Sequence, residues 1–161
     1  MNHLDREEMT GNKTFVSVYD YEPEGFESQV VVVACYLEIE ELLLLLESSL
    51  EKSEPGAFGV PAGKLEAGES LEKGAKRELL EETAITAPLY FLGTLYIRKY
   101  AFDYTYHLFK VLLDDIPIVK LSDEHTSYKW ASKEDIKNMP LMKGSQEALQ
   151  KYYSLQQERV E

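Results

Sequence analysis

Three glutamates, Glu78, Glu81 and Glu82, most constrain what this chain can fold into. In the run Arg77-Glu78-Leu79-Leu80-Glu81-Glu82 they stand at i, i+3 and i+4. On a helix of 3.6 residues per turn they share one face, an arc of about 100°. Like charges at that spacing repel by a few tenths of a kcal/mol per pair, so the face needs a compensating cation. A hard divalent ion with oxygen ligands suits it best, Mg²⁺ or Mn²⁺ ahead of Zn²⁺. Ser70 is a suitable N-cap, and the spacing predicts a helix running to about Thr83. Gly74 lies inside it at a cost of about 1 kcal/mol against Ala, which a close packing contact would explain.

Taken alone, such a charge run is usually a solvated helix face. The longer stretch Gly63 to Ile85, GKLEAGESLEKGAKRELLEETAI, carries more. It reads Gly63, five residues, Glu69, seven residues, then Arg-Glu-aliphatic-x-Glu-Glu-x-x-aliphatic. This pattern resembles the box of the Nudix hydrolases, the MutT-like pyrophosphohydrolases. It departs at one place, where Ala84 stands for the family's glycine.

The resemblance implies an α/β fold, a Nudix-type α/β/α sandwich with a mixed sheet and a loop-helix-loop catalytic box. It implies a metal-dependent hydrolase that cleaves the diphosphate linkage of a nucleoside diphosphate linked to X. Glu78, Glu81 and Glu82 would hold Mg²⁺, with Mn²⁺ as the alternative ion, and the Ala62 carbonyl would join them. Gly63, Glu69 and Arg77 would brace the loop against the helix, and Lys64 would touch a phosphate. The general base in such enzymes is a box glutamate or one from a later loop; Glu78 and Glu124 are the two candidates here.

The chain has 161 residues, which fits one domain over 13–161 behind a polar, flexible tail over 1–12. Its 29 acidic against 17 basic side chains give a formal charge of −12. That excludes duplex nucleic acid and anionic membrane as expected partners, since both require a basic footprint. A small nucleotide or diphosphate remains, because bound metal and local cations can offset its charge; a homodimer is left open. Cys35 is the only cysteine and sits in an apolar run, as a buried small hydrophobe would. A lone cysteine and an N-terminus without signal-peptide layout point to the reducing cytoplasm. No uninterrupted apolar stretch reaches the length of a membrane span.

Along the chain, Lys13 to Tyr21 reads as a strand, and the apolar run Gln29 to Leu37 as one buried on both faces. Leu42 to Leu46 is expected to return beside it, although Glu38 to Glu41 is a poor turn sequence without Gly or Asn. Ser48 to Gly59 reads as a loop. Leu89 to Tyr100, Phe102 to Leu113 and Ser127 to Ala131 read as strands. Ser132 caps a short helix stopped by Pro140, and Gly144-Ser145 opens a last helix that packs Leu149, Tyr152, Tyr153 and Leu155 inward. Tyr100, Phe102, Tyr104, Tyr106 and Trp130 are taken as core. His107 and His125 lack ligand spacing to one another.

ADP-ribose-directed relatives carry a proline about sixteen residues after the box, and none lies between Pro88 and Pro117. Dinucleoside-polyphosphate hydrolases carry a tyrosine near that spacing, which Tyr100 and Tyr104 straddle. Elimination leaves a (d)NTP-type pyrophosphohydrolase. The alternatives are hydrolysis of dinucleoside polyphosphate, ADP-ribose or nucleotide sugar, or a non-catalytic nucleotide-sensing module. The complete carboxylate set favours an enzyme.

Overall fold

Val30 to Ile39 forms the central strand, β2, because alternate residues along it are apolar on both sides. Val33, Cys35 and Leu37 point to one face and Ala34 and Tyr36 to the other, all of them buried. A computed structural model describes residues 16–160 of the chain, with side chains described to 156. The tail over 1–12 and the expected start of the first strand at Lys13 lie outside the described residues.

The elements are β1 (Val16–Tyr19), β2 (Val30–Ile39), β3 (Leu42–Ser48), β4 (Phe58–Gly59), β5 (Ala62–Lys64), α1 (Leu71–Thr83), β6 (Leu89–Lys99), β7 (Phe102–Val111), β8 (His125–Ala131), α2 (Lys133–Ile136) and α3 (Ser145–Val160). The strands join in the order β1-β6-β7-β2-β3-β4, with β5 paired to β2 and β8 to β3. Among the described strands only β2 and β7 pair in parallel, from Val30↔Tyr104 to Leu37↔Val111. The sheet is therefore mixed, and a core lies on each face. Leu79 and Ala75 of α1 pack with Val33, Cys35, Leu44 and Phe109 on one side. Ala148, Leu149 and Tyr152 of α3 pack with Ala34, Tyr36, Leu43 and Leu95 on the other. This is the α/β/α arrangement expected above.

Two expectations need correction. First, β3 does return beside β2, but for only two pairs, Glu38↔Leu43 and Ile39↔Leu42. Its long partner is β8, from Leu43↔Ala131 onward. The edge of β2 that β3 vacates is taken by β5 at Val32↔Lys64, Val33↔Gly63 and Ala34↔Ala62. Second, Phe58–Gly59 belongs to a strand and not to the loop, since it pairs with Leu46 and Glu47 of β3.

The turn between β2 and β3 is closed by Glu40 at φ 51 and Glu41 at φ 65, both left-handed. A two-residue hairpin wants positive φ at both central positions, which is why Asn-Gly is common there. Here two glutamates accept the strain because the flanking strands, buried on both faces, fix the register.

Helix α1 begins and ends as its sequence suggests. Ser70 Oγ accepts the Lys73 N–H at 3.2 Å. At the other end Ala84 is left-handed, φ 62 and ψ 24, and its N–H donates to the Leu80 carbonyl at 2.9 Å. An L-residue with a Cβ pays roughly 1–2 kcal/mol for that conformation. Glycine would relieve it but gains about 0.4–1 kcal/mol of freedom when unfolded. Ala84→Gly is therefore expected to stabilise the metal-free protein, by about 0.5–1 kcal/mol, in equilibrium denaturation. A lower midpoint at unchanged slope would show that Ala84 is not strained.

Candidate active site

Strand β5 and helix α1 meet face to face, and their contact explains two glycines. A Cβ on Gly63 would lie 2.1 Å from the Glu78 carboxyl carbon, so only glycine lets that carboxylate rest on the strand. A Cβ on Gly74 would meet Leu65 Cδ1 at 2.4 Å and Glu69 Oε1 at 3.0 Å. This is the close contact that a mid-helix glycine implies.

Within this contact the three box glutamates differ. Glu78 and Glu82 are turned toward the sheet and buried, 8% and 4% exposed. Glu82 Oε1 accepts the Ala62 N–H at 3.0 Å. Glu81 points outward and keeps about half its side-chain surface. Arg77 supplies the positive charge. Its Nε and Nη2 form a bidentate pair with Glu69 at 2.7 and 3.0 Å, and Nη2 also donates to the Lys64 carbonyl at 3.0 Å. Its Nη1 lies between Glu78 Oε1 at 3.0 Å and Glu81 at 3.3 Å. One guanidinium thus ties the loop, the strand and the helix together.

The electrostatics follow from this geometry. Hydrogen bonds from Arg77 and the Glu66 N–H hold the Glu69 carboxyl down at about 2. Burial raises Glu78, against the pull of Arg77. Burial, and then the charge of Glu78, push Glu82 up to about 9, so it carries a proton at neutral pH unless more positive charge arrives. Among the described residues no three His, Cys, Asp or Glu side chains converge on one point. The reason is local: Arg77 already occupies Glu78 and Glu81, and Glu82 is engaged by the backbone of β5. The donors nonetheless suit a hard divalent cation, being oxygen only and including in Glu82 a buried carboxyl with no direct ion pair among the described residues.

Glu124 lies just before β8, and its charge reaches both Glu78 and Glu82. It is ion-paired to Lys52, and its carbonyl accepts the Ser49 N–H at 3.0 Å. His125 beside it is half-buried and lowered by burial, with no partner for Nδ1 among the described residues. His107 is elsewhere, bonded through Nδ1 to Thr94 Oγ1 at 2.9 Å. Cys35 is fully buried, its thiol pushed far up by burial, as expected of a packing residue.

On the other face of β5 opens a cleft of about 500 Å³, lined by Val32, Ala62, Lys64, Phe102, Tyr104 and Met142 among others. Lys64 lines this cleft, so its side chain and the carboxylate pressed on Gly63 stand on opposite faces of β5. Here the aromatic residues divide. Tyr106 is core, its hydroxyl bonded to that of Tyr36 at 2.7 Å, although it also reaches the cleft. Trp130 packs against the α1-side core. Phe102 is 39% exposed and Tyr100 sits half-exposed at φ 58 in the hairpin turn, so neither is a core residue. A hollow of similar size between α2 and α3, lined by Lys133, Ile136 and Tyr153, does not touch the carboxylates.

Sequence reasoning overlooked Lys52, an isolated lysine in a polar loop with no spacing signal. It also missed Arg98–Asp103, a bidentate pair at 2.6 and 3.0 Å whose Asp103 Oδ2 accepts the Glu27 N–H as well. Nothing local marks Asp103, whose partners come from the preceding hairpin arm and from a loop 76 residues away.

Comparison with known proteins places these features in context. The NUDIX domain family model matches residues 27–152. Phosphatase NudJ of Escherichia coli strain K12 is 33% identical over 109 residues, 66% of this chain and 70% of that protein. Among solved structures, the MutT protein of Methanosarcina mazei Go1 is 27% identical with a TM-score of 0.69, covering 82% of this chain and 96% of that one. The NUDIX domain of Shewanella oneidensis NrtR, solved with ADP ribose, is alike in fold, with a TM-score of 0.67 at 23% identity over 88% of this chain and 95% of its own.

Proposed function

The chain belongs to the Nudix hydrolase family, and from that premise we propose that it hydrolyses the diphosphate linkage of nucleoside triphosphates or their deoxy forms. One observation carries this reading. Glu78 and Glu82 are buried against β5, and the next residue of that strand, Lys64, opens onto an aromatic-lined cleft. A site for charge and a site for a flat ring thus share one strand.

Glu78, Glu81, Glu82 and the Ala62 carbonyl would hold Mg²⁺ or Mn²⁺. Such a cation neutralises phosphate oxygens, makes water more acidic and orients the substrate. Arg77 keeps Glu78 and Glu81 in register, and with Glu69 it fixes the loop to the helix. Lys64 binds a phosphate oxygen, and Phe102 and Tyr104 offer a face on which the base stacks. Glu124 accepts the proton of the attacking water, whose oxygen bonds to phosphorus while the bridging P–O bond breaks. The products are a nucleoside monophosphate and pyrophosphate.

Incubation with Mg²⁺ and a panel of dNTPs, dinucleoside polyphosphates, ADP-ribose and nucleotide sugars, followed by product identification, tests this. Triphosphates are expected to give the monophosphate fastest. Release of orthophosphate alone would refute the bond assignment, and faster turnover of another class would move the substrate.

A further inference from the structure

The loop between β3 and β4 reaches both halves of the site. Lys52 in this loop is ion-paired to Glu124, and Ser49 bonds the Glu124 carbonyl. The next residue, Ser53, lines the cleft together with Lys64. Glu54 then fastens the loop to the far rim, accepting the Lys143 N–H at 3.0 Å and facing Lys99 Nζ at 3.8 Å. The loop is therefore anchored on both sides of Lys52, while Lys52 and Glu124 themselves remain about half exposed. The charge of Lys52 also reaches Glu82, where it favours the carboxylate.

Two properties of this pair matter. An exposed lysine–carboxylate pair contributes little, so a more highly charged anion displaces its carboxylate readily. Lysine is also a point charge on a flexible four-carbon stem, able to change partners without backbone movement. A diphosphate entering beside the loop that carries Lys52 and Ser53 carries more charge than Glu124 does. We propose that Lys52 is a second diphosphate-binding lysine that pairs with Glu124 in the free enzyme and leaves it for the substrate, uncovering Glu124 only when substrate is bound. The functional half of this rests on Glu124 being the base; the exchange of partners does not.

A double-mutant cycle on binding separates the two. The probe is methylenediphosphonate, a diphosphate with an uncleavable bridge, titrated calorimetrically with Mg²⁺ present. Lys52→Met is expected to weaken binding by about 10-fold, the loss of one charged hydrogen bond, and Lys52→Arg to restore most of it. Glu124→Gln frees Lys52 and is expected to tighten binding by about 5-fold, the upper worth of an exposed pair. In the Lys52→Met background that gain should vanish. An equal gain in both backgrounds would show only relief of general charge repulsion and would overturn the exchange, as would no gain in either. Failure of the base assignment would appear differently, as a Glu124→Gln enzyme with unchanged kcat.

Discussion

Glu82→Gln is expected to move activity and stability in opposite directions. Turnover should fall by at least about 10²-fold, the lower range for losing one group that stabilises transition-state charge. The metal-free fold should gain. Glu82 titrates near 9 in the folded protein because burial and then Glu78 disfavour its charge, against an ordinary carboxyl value of about 4.3 once unfolded. Between these values the folded chain keeps a proton that the unfolded chain has released. Stability from this group is therefore fully present below about pH 4.3 and is lost as pH rises toward 9. Glutamine does not titrate, so the variant's advantage should be near zero at pH 4.5 and largest near pH 9. Each kcal/mol corresponds to about 2–4 °C in a domain this size. Thermal melts in chelator across that range check the sign. A variant no more stable than the parent at pH 8.5 would mean that Glu82 is not held in its neutral form.

Glu124→Gln should leave the fold alone and strike kcat, by about 10²–10⁴-fold, the usual contribution of a positioned base. Its side chain is half exposed and its backbone bond to Ser49 survives the change. KM should hold or fall, since losing a carboxylate favours an anionic substrate. An unaltered kcat and pH profile would transfer the base role to Glu78, which already lies over Gly63 in the heart of the contact.

What could be read from the sequence was whatever a periodicity or a spacing encodes. The helix from Ser70 to Ala84 is local, and its caps, register and acidic face were legible from neighbours three and four apart. The doubly buried β2 was legible because its apolar run is unbroken. Partnership between distant strands was not. Five leucines give β3 its strand but nothing in them selects β8 over β2. The Glu40–Glu41 turn was opaque for the opposite reason: its local signal argues against a hairpin, and tertiary pairing overrides it. At the site, Gly63 and Gly74 were visible as glycines, while the carboxylates pressing on them belong to residues up to fifteen positions away. Phe102 alternates like a core residue and still ends at the cleft, because it sits where the hairpin leaves the sheet.

The parallel pairing of β2 with β7 bears on how the molecule assembles. β2 meets β7 only after the chain has travelled through β3, β4, β5, α1 and β6. Hairpins such as β6–β7 close over short loops and form on microsecond timescales. The β2–β7 register must wait for a long loop to close, with its entropy lost before any contact rewards it. The whole carboxylate box lies inside that loop. Glu78 and Glu82, one helical turn apart on α1, thus remain hydrated through the early steps, and the cost of burying them is felt only as the closure packs the helix on the sheet. Contacts absent from a folding transition state show up in the rate of unfolding. A cation bound to these carboxylates should therefore act as a brake on opening more than a guide to folding, a distinction that stopped-flow chevrons with and without Mg²⁺ resolve.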